Sequence, residues 1–205
     1  MSTQNVDLLR QGREALKGKW GLAIATFLVY MVIMGGMGVI PFLGSLGTLV
    51  LGGPFALGIS IFSLNISRDR EARVNNIFDG FQNASTAIGT YLLMVLYVFL
   101  WMLLLIVPGI IAAIGYSMTF YILADEPDLS PSEALRKSKE MMDGYKMKYF
   151  TLSLRFFGLA LLCVLTLGIG FLWLAPYMQV TVAKFYDDLR GGAPEQDVDS
   201  HLVTE

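Results

Sequence analysis

The sequence predicts an all-α membrane protein: a six-transmembrane-helix bundle of three hairpins, each preceded by a cytoplasmic amphipathic helix. Three observations lead there. Hydrophobic residues make up 55 % of the 205 positions and charged residues only 16 %, against about 45–50 % and about 25 % in soluble domains. Charge is also segregated, with none between Lys19 and Arg68 and none between Asp79 and Asp125. A spanning helix needs about 20 apolar residues, so each of these runs holds two spans and a tight turn. Finally, Lys and Arg cluster in four places: four before residue 20, three in 68–73, six in 136–155 and two in 184–190, which accounts for all 15. The three intervening turns carry none, and the positive-inside rule then puts both termini and every surface helix in the cytoplasm.

Residues 6–19 read as the first surface helix. Val6, Leu9, Leu16 and Trp20 lean to one side, and Trp20 suits the headgroup boundary. Span one, about 21–40, is too long for the apolar core of a cleaved signal and ends without a small-x-small site, so it is read as retained. Span two is about 46–67. The second surface helix, about 73–82, shows Val74, Ile77, Phe78 and Phe81 at helical spacing. Span three, about 86–107, turns at Pro108-Gly109 into span four, about 110–124.

The third surface helix, about 131–143, has the fullest grammar. Ser130 is the N-cap, Pro131 the first helical residue, Glu133 the partner in a capping box, and Gly144 the stop. Leu135, Ser138, Met142 and Tyr145 form one face, and Arg136, Lys137, Glu140 and Asp143 the other. With hydrocarbon on both sides of it in the chain, this helix is expected on the membrane surface. Spans five and six, about 149–167 and 171–186, sit at the lower length limit, with Gly168-Ile169-Gly170 as their turn. The membrane domain is therefore 1–190. The acidic tail 191–205 has no periodicity and is expected to be disordered.

The layout of surface helix, span, turn and span repeats three times. Pro54-Phe55, Gly115-Tyr116 and Pro176-Tyr177 recur at one constant interval, each early in a returning span. Stacking three such hairpins would close a bundle. Small pairs four apart, Gly21/Ala25 and Gly52/Ala56, suit close helix packing.

The last third of the chain carries Ser138, Met142, Gly144, Phe150, Gly168, Gly170, Pro176, Tyr177, Phe185 and Tyr186, with Gly18-Lys19-Trp20 near the start. On these residues the sequence resembles a bacterial family of integral membrane proteins, domain of unknown function 975. The resemblance extends over nearly the whole chain. It implies six helices in a bacterial cytoplasmic membrane and no established activity. Arg155 and Leu159 depart from it, since the family tends to be uncharged at the first and often has tryptophan at the second.

Chemistry-bearing residues are few. His201 lies in the tail, no carboxylate lies within a span, and metal-binding or phosphate-cradling motifs are missing from the sequence. No catalytic residue, metal or cofactor is expected. The lone Cys163 is mid-span and reads as an apolar filler. Arg155 must lie in the inner leaflet, where it either snorkels to phosphates or pairs with Asp125, Asp187, a lipid phosphate or an anionic substrate. Gln179, one turn after Pro176, either caps carbonyls freed by that proline or lines a polar pocket. Tyr116, Tyr177, Lys137, Lys146 and Lys148 complete the candidate lipid or pocket contacts.

The function expected is a non-catalytic membrane scaffold, assembly or homeostasis factor whose cytoplasmic helices bind lipid headgroups or a partner. The alternative is a small transporter or channel for an apolar or lipid-like solute. An intramembrane enzyme is a distant third. Partners are membrane lipids and another membrane or cytoplasmic protein or a second copy of this chain. A net charge of −2 gives no reason to invoke nucleic acid. Three broken helices converging on one cavity would favour transport, and a tightly packed glycine interior would favour a scaffold.

Overall fold

The structure is a computed structural model that describes residues 3–38 and 43–192. Residues 1–2, 39–42 and 193–205 lie outside the described residues, and with them His201 and all of the expected tail 191–205 except its first two residues, which continue the last helix. The described residues form ten helices and no strand: α1 Asn5–Ala15, α2 Trp20–Gly38, α3 Leu43–Ser67, α4 Asn76–Asp79, α5 Ala84–Leu104, α6 Ile106–Gly115, α7 Thr119–Asp125, α8 Pro131–Met141, α9 Lys146–Leu165 and α10 Phe171–Gly192.

Among the described residues, four stretches are long and apolar enough to cross a membrane: Gly47–Ser67, Ala84–Leu104, Ile106–Asp125 and Lys146–Leu165. The α1–α2 pair, bent by 95°, adds a fifth if it counts as one span. Helix α10 is not among them, because charge returns within it at Lys184, Asp187 and Asp188.

Packing divides the helices into inner and outer. Within the apolar stretches 67 % of α3 is buried but only 11 % of α5 and of α9. Helix α3 packs on α2, α5, α7 and α10, and α10 on α1, α2, α3 and α9. The core follows from this. Leu64, Met118, Tyr121, Leu152, Phe185 and Tyr186 form one cluster, Phe27, Ile59, Phe62 and Val180 a second, and Leu57, Ala87, Phe120 and Ala134 a third. Leu103, Leu154, Phe157 and Leu165 on α5 and α9 are instead well exposed, as expected of faces whose solvent is hydrocarbon.

The surface helices differ from the sequence reading in how they use their apolar faces. In α1 the buried residues are Leu8, Gly12 and Leu16, while Val6 is 58 % exposed. Gly12 decides the face: a Cβ there would overlap Thr181 Oγ1, so only glycine lets α1 seat on α10. In α8 the capping box forms as read, with the Ser130 N–H donating to Glu133 Oε2 at 2.9 Å. Its apolar face of Ala134, Leu135, Ser138 and Met142 is buried within the protein rather than laid open for a membrane surface. The predicted helix over 73–82 shrinks to the single turn α4. Asn76 spends its side chain on the Arg73 N–H at 2.8 Å and on Asp79 at 2.6 Å, local bonds that compete with helix.

One predicted turn shifts, and one predicted span is interrupted. Span three ends at Leu104, and the reversal is at Leu105, which is extended at φ −160° and ψ 139°. Pro108 then sits in the first turn of α6, where a missing N–H is harmless. Span four is not one helix but two, α6 and α7, separated at 116–118. The Gly168 turn stands as read, with φ +86°.

Candidate functional site: a central cavity above an ionic clasp

The three returning segments α3, α6–α7 and α10 converge on a cavity of about 440 Å³. Its wall includes Ala56, Ser117 and Met178, and also Ser60, Tyr121 and Val182. Each triple has the same spacing as Pro54, Gly115 and Pro176, so the repeat register places equivalent positions around one space. Phe27, Phe120, Tyr149 and Gln179 complete most of the wall. Its lining is aromatic and aliphatic, with neutral hydroxyls and one amide, and carries no charged side chain.

Four of those polar groups are engaged. Ser60 Oγ donates to the Ala56 carbonyl at 2.9 Å and Ser117 Oγ to the Ile114 carbonyl at 2.7 Å. Tyr121 donates its hydroxyl proton to Gln179 Oε1 at 2.7 Å, tying α7 to α10 across the wall. Gln179 thus lines the cavity with its amide oxygen engaged by Tyr121.

The marked repeat positions behave unequally. Pro54 and Pro176 are buried inside continuous helices α3 and α10, and only Gly115 stands at a break. The interruption leaves the Gly115 carbonyl and the Met118 N–H without helical partners. Ser138, reaching in from α8, serves both: its Oγ donates to Gly115 O at 2.8 Å and accepts from Met118 N at 3.2 Å. Phe55 stacks edge-on with Tyr30, Phe78 and Phe81, at 5.1 Å from the last. Tyr116 lies 6.2 Å from the Tyr97 ring. Tyr177 donates to the Leu9 carbonyl of α1 at 3.0 Å and meets Phe156 edge-on at 5.8 Å.

Beneath the cavity, the charged ends of the three returning segments meet. Arg68, just past α3, bonds both Asp125 oxygens at 2.6 and 2.7 Å and Asp187 Oδ1 through two nitrogens at 2.9 and 2.7 Å. Ser67 Oγ donates to Asp187 at 2.7 Å, Tyr186 donates to Asp125 at 3.1 Å, and Arg190 also pairs with Asp125. The side chains of Arg68 and Asp125 are only 17 % and 10 % exposed. Hydrogen bonding to Asp125, opposed by burial and reinforced by Asp187, holds the Arg68 guanidinium even further into its charged form than usual.

This clasp takes up the two carboxylates that were one of the alternatives for Arg155, the other being snorkelling to phosphates. Asp125 and Asp187 are taken by Arg68, and Arg155 is exposed on α9 with no ion-pair partner among the described residues. Lys137 pairs with Glu126 at 2.5 Å. Lys146 is 3.7 Å from Asp143, and with Tyr116 it lines a separate 230 Å³ groove. Lys148 binds Asp188 at 2.9 Å and covers the Phe185 ring at 5.1 Å. Asp188 also accepts from Thr3 N at 3.1 and 3.0 Å, one bond to each oxygen, so the amino end is pinned to α10. Burial lifts the Asp188 carboxyl, but Thr3 and Lys148 outweigh it and hold the group below its usual range.

Residues 102–193 match the family described as a protein of unknown function (DUF975), and the similarity is to that stretch alone. The match covers a little under half of the 205 residues. It takes in Ser138, the Asp125 and Asp187 ends of the clasp and the whole α9–α10 hairpin, and it leaves out Gly18-Lys19-Trp20 and Arg68. No curated protein and no solved structure matches the chain.

Proposed function

We propose that this chain, whose later part matches the DUF975 family, is a six-span bacterial inner-membrane protein of three hairpins that binds an uncharged, lipid-like solute in its central cavity. Both termini face the cytoplasm, and the role is binding and passage of the solute rather than chemistry. The observation that carries this reading is the cavity itself, walled at two complete sets of equivalent positions of the repeat. Its volume of about 440 Å³ falls in the range of small-molecule sites, which are mostly apolar with a few placed polar groups. An ion would find no charged partner on this lining, whereas a long-chain alcohol or acylglycerol meets aromatic wall and neutral hydroxyls.

The scaffold reading is supported by a different observation. Gly53 and Gly58 of α3 make backbone-tight contacts: a Cβ on the first would overlap the Ala87 carbonyl and on the second the Ile77 carbonyl. On α8, Arg136, Lys139 and Glu140 remain exposed after the apolar face is buried. That face is one a cytoplasmic partner could read by charge. The cavity is the more specific feature, and it leads.

A diazirine-bearing long-chain alcohol, photolysed with the purified full chain, tests the reading. Labelling is expected on the peptides holding Ser117, Tyr121 and Gln179. Filling the cavity with Ala56→Phe should abolish that labelling while the chain keeps its melting curve. Labelling confined to α5 and α9, or unchanged in the filled variant, would sink the proposal.

A further inference from the structure

A second groove lies away from the cavity, on the outer side of the bundle. It measures about 530 Å³ and runs from Arg13 and Trp20 along Leu162, Trp173 and Tyr177 to Thr166 and Gly170. Its two ends differ. Toward Thr166 and Gly170 the wall is apolar and leads to the uncharged α9–α10 turn, where Leu167 is 95 % exposed. At the other end stand Arg13 and Trp20, a cation and an indole of the kind found at headgroup level.

Arg155 belongs with this end. Leu159, Leu162 and Thr166 of the groove wall follow it by four, seven and eleven residues, which puts all four on one stripe of α9. Its neighbour Phe156 packs on Tyr177, and Tyr177 bonds Leu9, one turn before Arg13. Tyr177 therefore joins the two arginine-bearing helices at the groove. Neither Arg13 nor Arg155 has a hydrogen bond or ion pair among the described residues, although Arg10 on the same helix as Arg13 lies 3.5 Å from Asp7.

We propose that this groove holds one anionic phospholipid of the cytoplasmic leaflet. Its phosphate lies between the Arg13 and Arg155 guanidiniums, and one acyl chain lies along Leu159, Leu162 and Trp173. Charge complementarity selects the occupant. Two unpaired guanidiniums at the mouth of an apolar channel call for a ligand with a fixed negative charge on a long hydrocarbon tail. A zwitterionic lipid offers the same tail but brings its own ammonium to the two cations. The inference rests on the membrane reading and is independent of the cavity, since the two spaces share no wall residue.

The test uses the full chain in nanodiscs made from equal parts phosphatidylglycerol and phosphatidylcholine, with retained lipid counted by native mass spectrometry after mild delipidation. The wild type is expected to keep phosphatidylglycerol in preference. Each of Arg13→Gln and Arg155→Gln should lower that preference about fivefold, the weight of about 1 kcal/mol per basic residue at a lipid surface. Arg155→Lys should retain most of it, and Leu162→Trp, which fills the channel without touching charge, should lower retention of both lipids. The cavity-filling Ala56→Phe should leave the preference intact, which separates failure here from failure of the cavity reading. Equal retention of both lipids by the wild type overturns the proposal, as does an unchanged preference in the Arg13→Gln/Arg155→Gln chain.

Discussion

Arg68 is the side chain on which most depends, and its sequence context disguises it. In the sequence it is one of three basic residues in a short charged segment and counts only toward orientation. Its partners are 57 and 119 positions away, and no periodicity reports a pairing at that distance. Arg155, alone in an apolar run, drew attention instead, yet its position on the surface of α9 leaves both aspartates to Arg68. Replacing Arg68 by Leu leaves Asp125 with only Arg190 and Tyr186 and Asp187 with only Ser67, so the bundle should lose up to about 3 kcal/mol, read as a lower melting temperature in detergent. Arg68→Lys keeps the charge but not the fork that reaches two carboxylates, and should recover only part of the loss. Asp188 makes a pH prediction. Its carboxyl is held below the usual range, so the stability it contributes is complete above its unfolded value of about 3.9. That contribution is lost as pH falls through the lower folded value. Acidification below about pH 4 should therefore free the amino end, seen as faster hydrogen exchange at 5–15, and Asp188→Asn should show the same release at neutral pH.

Among the elements, α8 shows both what was legible and what was not. Its start, first turn and end were written locally in Ser130, Pro131, Glu133 and Gly144, and the capping box is present. Where its apolar face goes was not written there, because a buried face and a membrane-lying face have the same periodicity. The deciding residue is Ser138, whose hydroxyl answers a break in another element. That break had a mark in the sequence, Gly115-Tyr116, but Pro54 and Pro176 carry the same kind of mark without breaking their helices. Ser138→Ala should cost about 1–3 kcal/mol, the penalty for unsatisfied buried backbone groups. It should also raise hydrogen exchange at Met118 before the rest of the chain opens. Ser130→Ala removes only an exposed cap and should cost about 1 kcal/mol, with no change at Met118.

At the scale of the whole molecule, charge segregation pointed to apolar helices, and the described residues form helices and no strand. Span number is less direct, since α10 acquires charge from Lys184 onward and the α1–α2 pair bends by 95°. Orientation can be tested in a Cys163→Ser background. Leu167→Cys, at the turn between α9 and α10, should react with a membrane-impermeant thiol reagent in intact cells, and Ser132→Cys on α8 only after lysis. The opposite pattern would invert the topology. The cavity was anticipated only as one of two outcomes, because a repeat register names equivalent positions without saying whether they touch or stand apart.

The clasp also fixes an order of events. Arg68 is synthesised before either carboxylate it holds, and Asp187 follows it by 119 residues, roughly 6–24 s of translation at the usual pace. For the first 57 residues of that interval the first hairpin has its cation without either anion, and after Asp125 it still lacks Asp187. Final closure must therefore wait until translation is almost complete. A ribosome stalled before Asp187 would display a clasp with one carboxylate, whereas a finished chain would have both.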